Sequence, residues 1–246
     1  MDISVPDVAD ALIGETNYVH DAGEPHVSTT MSARLIAGKP DSDVVGVAPG
    51  VRLLSERVLG DSGGEYATVA AGIRHPAQAG AKIIYLDLGG PDDDDEMRQA
   101  VEEARDSGCL IVAPAGDKDN EMEEFPAALD GVLAVAATDV EDRKAPWSSY
   151  GSWVDISAPG NPVAAEKARA AGFTQLQGTS FAGALVAGAA ALVWSVDPSM
   201  GSERVEKALL GSADSIDEAN PPTLAGKLGS GRLQVLEAVQ NTQSRS

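Results

Sequence analysis

Gly178-Thr179-Ser180 is the part of the chain best suited to covalent chemistry. A serine that follows Gly-Thr at the head of a long apolar stretch presents its hydroxyl at a helix N-terminus, where main-chain N–H groups stabilise an oxyanion. Taken alone, the tripeptide reads equally well as a helix cap. A hydroxyl nucleophile needs a base, and the chain has three histidines, His20, His26 and His75. Cys109, the single cysteine, opens an apolar run with no base or cation beside it in sequence, so it reads as a packed thiol. One cysteine leaves no intrachain disulfide framework and no multi-cysteine zinc site. No cofactor and no metal are expected. The acidic run Asp92-Asp-Asp-Asp-Glu96 precedes a helical stretch, where the macrodipole favours negative charge. Its contiguous acids lack the spacing of an EF-hand loop, and calcium is left open there.

The elements that must position these groups come from hydropathy patterning. Hydrophobic residues make up 43% of the 246, enough for a sizeable core. Acids outnumber bases 38 to 18, a formal charge of −20 that repels phosphate backbones and argues against nucleic acid as a partner. No apolar run reaches the roughly 18–20 residues of a membrane span. Met1-Asp2-Ile3-Ser4 carries no basic or apolar leader, so a cytoplasmic location is expected. Short apolar runs at 51–58, 81–88, 109–113 and 131–137 alternate with helical patterns at 66–78, 96–107, 181–196, 202–210 and 233–240. That alternation predicts an α/β fold around a mostly parallel, two-sided sheet. A single domain over residues 1–240 accounts for it, with 241–246 as a polar, frayed tail.

The stretch from Gly178 to Gly188, Gly-Thr-Ser-Phe-Ala-Gly-Ala-Leu-Val-Ala-Gly, resembles the nucleophile motif of the subtilisin-like serine proteases (subtilases, peptidase family S8). Further motifs follow the family's order. They include Val45-Gly-Val-Ala-Pro49, Leu86-Asp-Leu-Gly-Gly-Pro91, Val112-Ala-Pro-Ala-Gly-Asp117 and Phe125-Pro-Ala-Ala. Val132 to Asp139, Trp147 to Gly160 and Gly229-Ser-Gly-Arg232 complete the series, so the resemblance spans nearly the whole chain. It implies a three-layer subtilisin-like fold with Ser180 at the nucleophile position.

The resemblance also marks departures. Aligned back from Leu35-Ile-Ala-Gly38, Ser28 occupies the position of the family's histidine. A hydroxyl of very high pKa cannot act as a general base near neutral pH. His26 lies two residues upstream, which on a helix is a rotation of about 200° to the wrong face; a loop conformation would still allow it a role. Asp2, in Asp2-Ile-Ser-Val-Pro-Asp-Val8, is the candidate for the orienting carboxylate, or an ordinary solvated acid. Only Met1 precedes it, so the resemblance implies that the family's first core strand would be absent from this sequence. An empty central slot would leave backbone groups unpaired at roughly 1–3 kcal/mol each. A chain that completes the sheet, from a second copy or another protein, is therefore expected as a partner. Asp117 replaces the asparagine that donates to the oxyanion, and an ionised carboxylate only accepts. The family binds an extended peptide between two edges, which fall here on Ser62-Gly63-Gly64 and Leu88-Gly89-Gly90. Glycines there permit close backbone approach or serve turn geometry alone.

These residues predict a pseudoprotease that binds a peptide or protein, as a regulatory or structural subunit, possibly of an active relative. The alternative is a working endopeptidase that uses Ser180 with His26 or with a histidine from a partner chain. A third reading is an acid-active hydrolase in which protonated Asp117 donates.

Overall fold

The computed structural model describes residues 1–2, 5–20, 23, 26–160, 163–166 and 173–244, with 163–166 and 173–175 described by their main chain alone. Ile3 and Ser4 of the motif around Asp2, and the tail residues 245–246, lie outside the described residues. In chain order the elements are α1 (Pro6–Ala9), β1 (Leu12–Asn17), α2 (Val27–Ala37), β2 (Leu53–Arg57), α3 (Tyr66–Gln78) and β3 (Ile83–Tyr85). They continue with α4 (Asp95–Asp106), β4 (Leu110–Pro114), β5 (Val132–Thr138), β6 (Ile156–Pro159), β7 (Val163–Glu166) and β8 (Phe173–Leu176). The helices α5 (Thr179–Val196), α6 (Ser202–Gly211) and α7 (Val235–Gln243) close the chain.

Strands β3, β4, β5 and β6 form a parallel sheet in that order. All of β4 and β5 is buried. Leu110 and Val112 pack into the layer built by α5, α6 and α7, while Ile111 and Ala113 pack against α3 and α4. Successive side chains thus enter opposite layers, and both layers are apolar. This is why these strands appear in the sequence as unbroken hydrophobic runs.

Helix α5 lies in the middle of one layer, against α2, α6, α7 and strands β3 to β6. Its small residues allow the approach. A Cβ on Gly183 would lie 2.8 Å from the Tyr85 ring, and one on Gly188 would lie 2.8 Å from Val47 Cβ. Among the described residues, α5 is the one helix long and apolar enough to cross a membrane, with a mean hydropathy of 1.7. Here that apolar surface is spent on the sheet and α2.

Two further sheets stand apart. β1 pairs in parallel with β2, from Leu12 opposite Leu53 to Asn17 opposite Arg57, and β7 pairs with β8 as an antiparallel hairpin. Among the described residues no ladder joins β2 to β3, although α3 packs on both. The described strands therefore do not form one continuous sheet. The Met1 amine lies in the fields of Glu15 in β1, Arg57 at the end of β2 and Asp87 just beyond β3, and burial lowers its pKa.

The expected frayed tail from 241 onward gives way to ordered helix as far as Gln243. Thr242 is buried and its Oγ1 donates to Ala238 O at 2.9 Å, while Asn241 Nδ2 donates to Ser212 Oγ at 3.2 Å. Polarity alone suggested solvent at these positions; the hydrogen bonds satisfy it within the fold.

Candidate active site

Ser180 is the second residue of α5, whose N-cap is Gly178. Its carbonyl accepts from Tyr85 Oη at 2.5 Å. Thr179 beside it is tied down on three counts. Its amide and its hydroxyl both donate to Asp117 Oδ1 at 2.9 Å, and its Oγ1 accepts from Gly116 N at 3.0 Å. Asp117 thus acts as an acceptor at the positive end of α5, an arrangement suited to an ionised carboxylate. Its second oxygen lies 3.2 Å from where a Cβ on Gly178 would sit.

His26 and Ser28 at the head of α2 bond to each other and not to Ser180. His26 is the N-cap residue of that helix, and its Nδ1 lies 2.6 Å from Ser28 Oγ. His75 Nδ1 lies 2.9 Å from Glu56 Oε1 on β2. Neither ring is hydrogen-bonded to Ser180. The Asp2 amide donates to Thr30 Oγ1 at 2.7 Å, which places residue 2 against the first turn of α2.

Three side chains that the sequence did not single out as a group meet beneath Ser180. Tyr85 Oη has Asp87 Oδ1 at 3.3 Å as a second acceptor, and Asp87 Oδ2 accepts from Ser32 Oγ at 3.0 Å. Burial pushes the Tyr85 phenol well above its ordinary pKa, and the Asp87 carboxylate adds to the rise. The phenol therefore stays a donor. This chain links α2, the end of β3 and the start of α5, which are far apart in sequence.

The two glycine edges are both solvent-facing. Gly60 and Gly63 pair across a tight turn in which Gly63 has φ +102°, and residues 62–64 are exposed. Gly90 pairs with Phe125 through mutual hydrogen bonds of 2.9 and 2.7 Å, which leaves Gly89 exposed at the rim. Tyr66, two residues after Gly64, bridges toward the second edge: its hydroxyl donates to Asp92 Oδ2 at 3.1 Å and lies 3.9 Å from a Cβ position on Gly90.

The loop that carries Asp117 is held by an internal cation. Lys144 Nζ lies 2.7 Å from Asp119 Oδ1 and within 3.3 Å of the carbonyls of Ala145, Pro146 and Ser148. Asp119 has a left-handed φ of 49°, which an aspartate tolerates better than most residues. In the acidic run, Asp94 caps α4 by accepting from Glu96 N and Met97 N at 2.9 and 3.0 Å, and Asp93 pairs with Arg98. Those acids serve the helix start. Among the described residues, no group of three or more metal-binding side chains is present. Cys109 is buried, its Sγ lies 3.1 Å from Ala81 O, and burial raises its pKa.

A parallel α/β sheet with a Gly-Thr-Ser serine at the head of a buried helix defines a hydrolase-type scaffold, and comparison with known proteins agrees. The Subtilase family model (Peptidase_S8) matches residues 16–231, and the chain belongs to that family. Thermitase from Thermoactinomyces vulgaris is 34% identical over 241 residues, covering 96% of this chain and 84% of thermitase. Subtilisin DY from Bacillus licheniformis is 34% identical over 224 residues, with 89% and 80% covered. Among solved structures, the patellamide maturation protease PatA aligns with a TM-score of 0.85 at 30% identity, covering 99% of this chain and 94% of that one. The prenylagaramide maturation protease PagA aligns with a TM-score of 0.86 at 27% identity, with 98% and 90% covered. The fold is subtilisin-like.

Proposed function

We propose that this chain is a peptide-binding subtilase in which hydrolysis is abolished or strongly impaired. One observation carries the reading: at the head of α2 the position of the family's histidine holds Ser28, and the neighbouring His26 is bonded to Ser28 rather than to Ser180. Without a base the serine stays protonated, and in subtilisin losing the base costs about 10⁶ in kcat. Asp117 as an acceptor supports the same reading, since an ionised carboxylate opposes a developing oxyanion instead of donating to it. The exposed turn at 62–64 and the exposed Gly89 support peptide binding, since bare main chain lets an extended peptide approach closely.

The same reading includes a partner. Among the described residues no strand pairs with the edge of β2 away from β1 or with the edge of β3 away from β4, and these edges fit a parallel strand from a second polypeptide, either another copy or a different chain. A monomer by light scattering, with β2 and β3 amides fully protected from exchange, contradicts this part.

The test of the function is a fluorophosphonate probe at neutral pH. The expected result is labelling no faster than for Ser180→Ala. Rapid labelling lost in Ser180→Ala overturns the reading in favour of the working endopeptidase, which the protease names of its relatives support. Loss of that labelling in His26→Ala then assigns His26 as the base, and its persistence points to an imidazole from a partner.

A further inference from the structure

Ser28 is the second residue of α2, as Ser180 is of α5. What separates the two serines is an imidazole. His26 Nδ1 lies 2.6 Å from Ser28 Oγ, so the chain does contain a hydroxyl bonded to a base, and it is this one. A serine within hydrogen-bond reach of an imidazole is the smallest arrangement that activates a hydroxyl nucleophile. Both residues are exposed and open to a small reagent.

The base is held by its own main chain. His26 O accepts from Thr30 N and from Thr30 Oγ1, both at 3.3 Å, and Thr30 Oγ1 accepts from Asp2 N at 2.7 Å. The His26 side chain makes no capping bond to the start of α2; its ring meets the Ser28 hydroxyl instead. Ser28 also lies on the side of α2 that borders the cleft. It is one turn from Ser32 on the same helix face. Ser32 Oγ donates to Asp87 Oδ2 at 3.0 Å, one residue before the Leu88 to Gly90 edge. The first turn of α2 carries no acid to repel negative charge that develops on an attacked carbonyl.

We propose that Ser28 and His26 form a second reactive centre, a dyad that accepts the acyl group of an activated ester. Ser28 Oγ attacks the carbonyl carbon and its proton passes to His26 Nδ1. The bond to the leaving alcohol then breaks and His26 returns the proton to that oxygen, giving acyl-Ser28 and the free alcohol. Neither Ser180 nor Asp117 takes part, so the inference goes beyond the peptide-binding reading and does not depend on it.

The experiment treats the wild-type chain with p-nitrophenyl acetate near neutral pH and follows the position of acetyl groups by peptide mass spectrometry. Ser28 is expected to be acetylated about 10²-fold faster than Ser202, the lower end of what a positioned base supplies. Ser202 opens α6 with no histidine beside it in sequence. His26→Gln keeps a polar side chain that cannot take the proton, and is expected to slow acetylation of Ser28 by about tenfold or more. Because His26 is exposed, this change leaves the core untouched. Acetylation of Ser28 no faster than of Ser202, or equally fast in His26→Gln, overturns the inference and leaves peptide binding standing. Rapid acetylation of Ser180 with none on Ser28 overturns both the inference and the reading of an impaired Ser180.

Discussion

Asp117 and Thr179 are joined twice, the aspartate's Oδ1 accepting from both the amide and the hydroxyl of the threonine at 2.9 Å. The carboxylate therefore holds the residue that precedes Ser180 and fixes the start of α5. On the proposed reading, in which Asp117 stands for an oxyanion-binding asparagine, the aspartate keeps an acceptor oxygen and has no amide to donate.

Asp117→Ala removes both bonds to Thr179 and is expected to lower stability by about 1 kcal/mol, as for loss of a helix-capping acceptor. Asp117→Asn keeps the acceptor and forfeits only the charge–dipole term, about 0.3–1 kcal/mol at an exposed site. Urea denaturation of the two variants and the parent checks the order, with alanine the less stable. An alanine variant as stable as the asparagine one shows that these bonds do not anchor α5.

Ser28→His returns an imidazole to the head of α2. In an Asp117→Asn background it is expected to raise hydrolysis of an activated ester by about 10²-fold, the lower end of what a positioned general base supplies. Ester hydrolysis, with Ser180→Ala in the same background as control, checks it. An unchanged rate means that residue 28 does not face the nucleophile or that the imidazole lacks an orienting partner.

Asp155 and Glu206 give the protein a pH dependence of definite sign. Burial raises the pKa of each, and Asp155 adds to the rise at Glu206. A carboxyl whose folded pKa lies above its unfolded value contributes stability below the unfolded pKa and loses it as pH rises through the folded one. These two groups should therefore make the fold less stable as pH rises from the ordinary carboxylate range toward neutrality. Asp155→Asn retains an oxygen for the Ala134 amide, which donates to Asp155 at 2.8 Å, and should flatten that slope. Thermal melts at a series of pH values check it. A slope unchanged in Asp155→Asn and in Glu206→Gln assigns the dependence elsewhere.

Much of the central sheet is legible in the sequence because burial on both faces writes itself as an unbroken apolar run. Leu110 to Pro114 and Val132 to Thr138 fall within a residue or so of the expected strands. Helix α3 runs from Tyr66 to Gln78, as its alanine-rich pattern predicts. Strand β1 is not legible that way, because Leu12-Ile-Gly-Glu-Thr-Asn mixes a glycine and an acid into an incompletely buried segment. Ser180 at the head of α5 could be picked out from Gly-Thr-Ser with its motif context. Its neighbours could not: Tyr85 reaches Ser180 across 95 residues, and no local pattern announces that contact. Glu124 lies at the end of an acidic stretch, and it is the tertiary fold that buries it near Gly89 and Gly116.

Lys144 places an ammonium among a carboxylate and three carbonyl oxygens beside the loop that carries Asp117. Because this charge is covalently tethered, it cannot be titrated away by a chelator or diluted out by a change of buffer. The order of that loop is set by the polypeptide itself, and ought to persist through desalting and dialysis that would strip a dissociable ion.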